Sequence, residues 1–104
     1  LSMVDEILNS IPTEFALGQN YPNPFNPLTK MDISLPITGD VSLAIYNILG
    51  QKVRTLFSGE LNYGYHTMQW NGLDDQGLRV SSGVYFSEFR SRDHRKTKKM
   101  LLLK

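Results

Sequence analysis

The chain has 104 residues and a formal net charge of +1, with 40% hydrophobic residues, 20% charged residues and no cysteine. This length fits one small domain, and the missing cysteines exclude a disulfide framework, a thiol nucleophile and a cysteine-based zinc site. No apolar run approaches the roughly 18 residues that a transmembrane helix needs, so we expect no membrane insertion.

The basic residues are concentrated in the last part of the chain. Residues 90–104 contain seven of the eleven Lys and Arg but only one of the ten acidic residues, so residues 1–89 carry a net charge of −5. This distribution favours a charged edge strand and hairpin turn that discourage association between sheets. Contact with an acidic partner is the alternative. No aromatic residue lies among these charges after Phe89, so we expect no nucleic-acid partner.

The first thirteen residues differ in pattern from the rest of the chain. We predict that residues 1–13 are a linker or an artificially added segment, in which "VDEILN" could form one helical turn before Ile11-Pro12. Residues 14–104 are predicted to form the folded domain. Within it, the stretch "NYPNPFNP" has three prolines and cannot run as a helix or a central strand. We expect Tyr21 and Phe25 to pack against the domain while the prolines hold the chain extended along its edge.

Short strands and turns follow in regular succession. After an extended piece at residues 15–17, six strands are predicted: "TKMDISL", "VSLAIYN", "KVRTLFS", "HTMQW", "VYFSEFR" and "KTKKMLLL". Alternation places the following apolar residues inward: Met31, Ile33, Leu35, Val41, Leu43, Ile45, Val53, Met68 and Trp70. Turns or loops are predicted at Gly39-Asp40, at Gly50, and over residues 59–65, 71–83 and 91–95. About seven strands in this arrangement predict an all-β, immunoglobulin-like antiparallel β-sandwich without a disulfide.

The sequence offers no catalytic constellation. His66 and His94 are the only histidines and neither lies in a nucleophile motif, so we expect surface or partly buried histidines and no enzymatic activity. Phosphate-binding glycine loops are also absent from the sequence.

The loop "WNGLDDQG" contains adjacent carboxylates, Asp74 and Asp75. Asx-turns, with Gly72 and Gly77 at positive φ, are the favoured interpretation. A weak divalent-cation site that uses Asn71, Asp74 and Gln76 is the alternative, but the spacing of a calcium loop is missing. We therefore predict no metal and no cofactor.

Three tyrosines, Tyr21, Tyr63 and Tyr65, could stack on a sugar ring if they are exposed. Packing against neighbouring loops is the favoured interpretation, because aromatic side chains are usually buried.

Five motifs in order carry a resemblance to a known family: "YPNPFNP", "IYNILGQKVRTL", "WNGLDDQG", "SGVYF" and the terminal "KMLLLK". This series, over residues 15–104, resembles the type A C-terminal sorting domain of the type IX (Por) secretion system. It is similar, more loosely, to the Ig-like domain of the flagellar hook-capping protein. One difference is that Asn71 stands where the sorting-domain family often has an aspartate, which weakens the metal interpretation further.

The resemblance implies a domain at the C-terminus of a larger cargo protein, to which it is covalently joined. The implied partners are the outer-membrane translocon, which recognises the domain, and a sortase-like peptidase, which can remove it and attach the cargo to the surface. Retention as an anchoring module is the alternative. The implied location is the periplasm in transit and then the cell surface or the extracellular space.

The resemblance also assigns candidate site residues. A recognition or fold-pinning motif comprises Tyr21, Pro22, Asn23, Pro24, Phe25, Asn26 and Pro27. A turn and core motif comprises Gly50, Trp70, Gly72, Gly77, Gly83 and Tyr85. The C-terminal signal strand comprises Lys99, Met100, Leu101, Leu102, Leu103 and Lys104. Whether the first motif is read directly or pins the fold that presents the last strand is open, and three prolines with two buried aromatics favour pinning.

Two other functions remain alternatives. One is a carbohydrate-binding or adhesive Ig-like module appended to a surface enzyme. The other is an accessory folding or scaffold domain related to the hook-capping protein, since a shared fold does not fix one function.

Overall fold

The computed structural model describes Met3 and residues 11–104. The sequence "VDEILN", predicted to form a helical turn, lies outside the described residues. Pro12, near the end of the segment predicted to be a linker, is buried, whereas Thr13 and Glu14 are exposed.

Seven strands are present between residues 11 and 104. Their bounds are β1 Ala16–Leu17, β2 Thr29–Leu35, β3 Gly39–Asn47, β4 Lys52–Leu61, β5 Gly64–Trp70, β6 Gly83–Ser91 and β7 His94–Leu102. They form a three-stranded sheet in the order β1-β2-β5 and a four-stranded sheet in the order β4-β3-β6-β7, and all pairings are antiparallel. The predicted all-β sandwich of seven strands is confirmed.

The core lies between the two sheets and follows the alternation of the strands. In β2, every second side chain is buried, beginning with Thr29. Residues from both sheets and from the Pro-rich segment form one cluster: Leu17, Phe25, Met31, Ile33, Leu35, Val41, Leu43, Ile45, Trp70, Tyr85, Phe89, Met100 and Leu102. Burying this apolar surface is the main favourable contribution to folding in a chain that has no disulfide.

Two predicted turns were wrong. Gly39-Asp40 begins β3, where it pairs with Leu61 and Glu60. The chain instead turns over residues 36–38, because Pro36 has no N–H with which to continue β2. The loop predicted over residues 59–65 is mostly strand, since both ends find pairing partners in β3 and β2 and only residues 62–63 connect β4 to β5.

Within the described part of the chain, no helix is long and apolar enough to cross a membrane.

Candidate functional site

Three motifs that are far apart in the sequence meet at one edge of the sandwich. The Pro-rich segment, which is "NYPNPFNP" at residues 20–27, lies along the last strand, and the loop after β5 contacts both. We call this meeting point the junction and define it by Asn23, Phe25, Pro27, Trp70, Gly72, Leu101 and Leu102. The sequence identified all three motifs as candidate sites, and the contacts among them were not predicted.

Backbone hydrogen bonds fasten the Pro-rich segment to β7. The Phe25 N–H donates to the Leu101 carbonyl, and the Leu103 N–H donates to the Phe25 carbonyl, each at 3.0 Å. These two bonds form a parallel bridge between Phe25 and Leu102. The Asn23 Oδ1 atom accepts a bond from the Leu101 N–H at 3.0 Å. The Pro-rich segment thus bonds backbone N–H and C=O groups at the edge of β7 that could otherwise pair with another strand.

Aromatic packing adds to these bonds. The Phe25 side chain is 2% exposed, and its ring centroid lies 5.6 Å from that of Trp70. Trp70 meets Tyr85 edge-on, with centroids 5.3 Å apart. The polar atom of each of these two side chains has a hydrogen-bond partner: Trp70 Nε1 donates to the Leu73 carbonyl, and the Tyr85 hydroxyl donates to the Ser81 carbonyl. The three rings therefore join the Pro-rich segment to β5 and β6.

Gly72 closes the junction from the loop side. Its φ is +77°, in the left-handed region that favours glycine, as the sequence predicted. A Cβ atom built at this position would lie 3.5 Å from the Pro27 Cβ and 3.9 Å from the Leu102 Cδ2. Gly72 thus lies against both the Pro-rich segment and the last strand.

A buried polar group supports the same segment and was missed by the sequence analysis. Asn20 is 3% exposed and Thr29 is fully buried. Asn20 Nδ2 donates to Thr29 Oγ1 at 2.9 Å, and both side chains donate to the Pro22 carbonyl. Gln19 Nε2 extends this network to the Lys99 carbonyl at 2.8 Å. The sequence feature that could have indicated this network is Asn20, the asparagine before the Tyr-Pro pair. A buried asparagine needs hydrogen-bond partners close by, because buried polar groups in proteins are nearly always hydrogen-bonded.

The expectation that Tyr21 is buried was wrong. Tyr21 is 46% exposed, and its hydroxyl donates to Asp32 Oδ1 at 3.1 Å. Tyrosine can pack one ring edge while its hydroxyl stays in water, so a polar partner outside the core is compatible with this position. The expected extended path was also wrong, because the segment bends over residues 22–24, between the bridges at Tyr21 and Phe25, and bends again over residues 26–27.

The candidate signal strand alternates between core and solvent. Met100 and Leu102 are each 1% exposed, whereas Leu103 is 48% exposed. Lys99 and Lys104 are also exposed. The Lys104 N–H donates to Ser82 Oγ at 3.0 Å, which holds this end beside the start of β6. The strand therefore has a face that builds the core and a set of exposed residues that a partner can reach.

The glycines of the turn and core motif do not all lie in the junction. Gly83 begins β6 and pairs with Leu102, directly beside it. Gly50 occupies the β3–β4 turn at a φ of +78°, as predicted, and Gly77 lies in the loop after β5. A Cβ atom at Gly50 or Gly77 would meet open space, so both serve turns outside the junction.

The Asp74-Asp75 loop uses its carboxylates to hold backbone. Asp74 Oδ1 accepts bonds from the Gln76 and Leu78 N–H groups, each at 2.9 Å, and Asp75 Oδ1 accepts one from the Thr55 N–H. The two local bonds to Asp74 match the Asx-type turn that the sequence favoured, whereas the Asp75 bond ties the loop to β4. Across residues 11–104 and Met3, no group of three His, Asp or Glu side chains could hold a metal ion.

Most of the basic residues of the last part of the chain lie where the sequence favoured them, in an edge strand and the hairpin turn before it: Arg95, Lys96, Lys98 and Lys99 are on β7 and Arg92 is in the turn, whereas Arg90 is on the inner strand β6. β7 is the last strand of its sheet, and its residues 94–99 are all exposed. Arg90 pairs with Glu88 at 3.0 Å. Charged side chains along a strand edge oppose pairing with another sheet.

The two histidines lie at the predicted kind of position, at or near the surface. His94 is exposed and its ring stacks on Phe15, with centroids 4.1 Å apart. His66 Nε2 lies 2.8 Å from the Asn62 carbonyl.

The favoured packing of the tyrosines against loops was wrong for all three. Tyr63 is 55% exposed and Tyr65 is 61% exposed, in addition to Tyr21. Tyr65 lies on the outer side of β5, opposite Ser34 of β2.

Solved structures with similar folds include the following three proteins. FlgD from P. aeruginosa is 24% identical, with a TM-score of 0.56, over 71% of this chain and 57% of that one. Dimeric latent PorU from Porphyromonas gingivalis is 18% identical, with a TM-score of 0.64, over 88% of this chain and 10% of that one. PorZ, a surface component of the type IX secretion system of the same organism, is 23% identical, with a TM-score of 0.51, over 86% of this chain and 11% of that one.

The chain therefore spans little more than half of one of these proteins and about a tenth of the other two. A comparison with curated proteins found no match. The sequence model of the FlgD Ig-like domain matches residues 28–90, which run from the end of the Pro-rich segment into β6. The chain belongs to the FlgD Ig-like domain family.

Proposed function

We propose that this domain is a non-catalytic C-terminal signal that directs a larger, covalently joined cargo protein across the outer membrane through the type IX secretion system. In this proposal the outer-membrane translocon recognises the domain in the periplasm. A sortase-like peptidase can then remove it at the cell surface, where the cargo is attached.

The junction is the observation that carries the proposal. The first and last motifs of the sorting-domain pattern are bonded to each other through Phe25, Leu101 and Leu103, although they are more than 70 residues apart. A signal that depends on both motifs needs such a connection, because the Pro-rich segment then holds the last strand in one conformation. A strand that is ordered before docking loses little conformational entropy when a partner binds it.

The structural comparisons support the same assignment at the level of fold. Similar domains occupy about a tenth of PorU and of PorZ, and PorZ is a component of the type IX secretion system. A small sandwich within a much longer chain agrees with a domain that accompanies another protein. The proposal adds that the translocon recognises this domain.

The exposed residues of the last strand are the proposed contact with the translocon. Lys99, Leu103 and Lys104 are exposed, while Met100 and Leu102 are in the core. The Pro-rich segment pins the fold in this view, since its buried apolar side chain, Phe25, is part of the core cluster.

Export of a reporter tests the proposal. The chain is fused to the C-terminus of a periplasmic reporter in a host that has a type IX system, and reporter at the surface is measured by protease accessibility. We expect surface display of the intact fusion and periplasmic retention when residues 99–104 are deleted. Equal display of both fusions would refute the proposal.

The deletion also removes core residues, so a second pair of variants separates recognition from folding. Combined substitution of Lys99, Leu103 and Lys104 by alanine changes exposed side chains only, and we expect it to reduce export without loss of thermal stability. The matched control is Asn26→Ala, an exposed position in the Pro-rich segment, which we expect to be exported normally. If the triple variant is exported normally and Asn26→Ala is not, the translocon contacts the Pro-rich segment directly.

A further inference from the structure

The outer surface of the three-stranded sheet carries polar and aromatic side chains that the proposed export role does not use. In β2, Met31, Ile33 and Leu35 point into the core, so the intervening residues point away from it. β5 alternates in the same way. We call this surface the tyrosine face and define it by Tyr21, Lys30, Asp32, Ser34, Tyr65, Thr67 and Gln69.

Hydrogen bonds order the centre of the tyrosine face. Asp32 Oδ1 accepts a bond from the Tyr21 hydroxyl at 3.1 Å and another from Thr67 Oγ1 at 2.6 Å. The second carboxylate oxygen, Oδ2, takes part in neither bond and can accept from a ligand hydroxyl. The Tyr21 ring is therefore held in one orientation while nearly half of its surface stays in solvent.

The two tyrosines lie at opposite ends of a diagonal. Tyr21 pairs with Lys30, and Tyr65 lies opposite Ser34, four residues farther along β2. At a rise of ~3.3 Å per residue and a strand spacing of ~4.8 Å, their Cα atoms are about 16 Å apart. The Asp32–Thr67 pair lies between them. The arrangement is an open strip with an aromatic ring at each end and hydrogen-bonding groups in the middle.

The chemistry of the strip indicates its ligand. Lys30 and Asp32 are the charged residues of the tyrosine face and cancel each other, whereas the excess positive charge lies on β7 of the other sheet. Apart from Ala16, which lies opposite Ser34, the outward side chains of β1, β2 and β5 include no aliphatic group, whereas the centre of a protein–protein interface is usually more apolar. Tyrosine rings supply flat apolar area with a polar edge, which suits the alternating C–H faces and hydroxyls of a sugar chain.

We propose that the tyrosine face binds an extended, uncharged oligosaccharide. Tyr21 and Tyr65 stack on two sugar rings, and Asp32 accepts hydrogen bonds from the hydroxyls of the sugar between them. An open face suits a polymer chain, since small molecules bind mainly in concave pockets. This binding function is separate from the export role and does not depend on it.

Titration calorimetry on the full chain tests the proposal with cellohexaose, laminarihexaose and chitohexaose, and with hexagalacturonic acid as a charged comparison. We expect at least one neutral hexasaccharide to bind with Kd below about 1 mM and the charged one to bind more weakly. Tyr21→Ala and Tyr65→Ala should each weaken binding about tenfold, the effect of removing a central aromatic contact.

Two further variants make the result specific to this face. Tyr21→Phe keeps the ring but removes the bond to Asp32, so it should weaken binding less than Tyr21→Ala. Tyr46→Ala removes a tyrosine from the other sheet and should leave binding unchanged. Absence of binding to all three neutral sugars would overturn the proposal, and so would binding that survives both Tyr21→Ala and Tyr65→Ala. Self-association that Tyr65→Ala abolishes would assign the face to a second copy instead.

Discussion

The rings of Phe25 and Trp70 lie 5.6 Å apart at an interplanar angle of 53°, and both side chains are almost completely buried. This pair joins a segment without regular secondary structure to the end of β5, an edge strand of the three-stranded sheet. Through the backbone of Phe25 the contact continues to the last strand. The Pro-rich segment is therefore part of the core, and its removal would open the sandwich at one edge.

Replacing Phe25 by alanine should strongly destabilise the domain. The substitution leaves a cavity beside Trp70, and a buried Phe→Ala change costs about 3–5 kcal/mol. Urea unfolding followed by tryptophan fluorescence measures the change, since Trp70 is the single tryptophan. Leu78→Ala, at an exposed position, should shift the unfolding free energy by less than about 0.5 kcal/mol. Similar values for both variants would mean that Phe25 does not anchor the segment.

The buried Asn20–Thr29 pair gives a second prediction. Thr29→Val keeps the shape but removes the hydroxyl that bonds the Pro22 carbonyl, so Asn20 loses a partner in the core. We expect a loss of about 1–3 kcal/mol in unfolding free energy. Thr97→Val, at an exposed position of β7, is the matched control and should be nearly neutral. Equal effects would indicate that water replaces the lost hydrogen bonds at Thr29.

Gly72 and Gly50 form a matched pair because their φ values are +77° and +78°. Substitution by alanine in this region costs about 1–2 kcal/mol through backbone strain. The Cβ atom at position 72 would make ordinary contact with Pro27, and the one at position 50 would meet open space. We therefore expect Gly72→Ala and Gly50→Ala to lower the thermal midpoint similarly. A much larger loss for Gly72→Ala would reveal tighter packing against Pro27 than these distances indicate.

The hydrogen bond to Asp32 raises the pKa of Tyr21 above its ordinary value of 10.0. The folded protein thus holds this proton more tightly than the unfolded chain does. The resulting stabilisation is complete below the unfolded-state pKa and is lost as the pH rises through the folded-state pKa. As the pH rises above ~10, the unfolding free energy should therefore fall more steeply for the wild type than for Tyr21→Phe. Parallel curves would mean that the bond is not maintained in solution.

Calcium should leave the thermal midpoint unchanged. The Asp74 and Asp75 carboxylates already accept backbone N–H groups, which a cation would have to displace. Differential scanning calorimetry with and without ~5 mM calcium checks this, because a ligand that binds the folded state raises the midpoint, and the rise grows with the ratio of ligand concentration to Kd. A rise of several degrees that Asp74→Asn abolishes would establish a site in this loop.

The sequence predicted best where side-chain alternation was clear. Met31, Ile33 and Leu35 could be assigned to the core because polar residues separate them, and one buried face is enough to produce that pattern. Gly39 and Gly59 were assigned to turns because glycine is common there. Both lie in strands, since backbone pairing with β4 and β3 overrides that local preference.

The junction could be predicted only in its parts. The apolar character of Phe25 suggested burial, but its partner strand lies more than 70 residues away, and no local pattern encodes that pairing. Tyr21 was misplaced for a related reason. A tyrosine suits either the core or the surface, and the hydroxyl acceptor that decides its position, Asp32, belongs to another strand.

The bonds from Gln19, Asn23 and Phe25 to the last strand have a consequence for synthesis. A ribosome releases the chain from its N-terminal side, so residues 19–25 are exposed to solvent long before residues 99–103 are available to pair with them. Until then Phe25 lacks the strand that covers it. Closure of the sandwich must therefore follow translation of residue 103, and a nascent chain stays open and incompletely packed until almost the whole domain has been made.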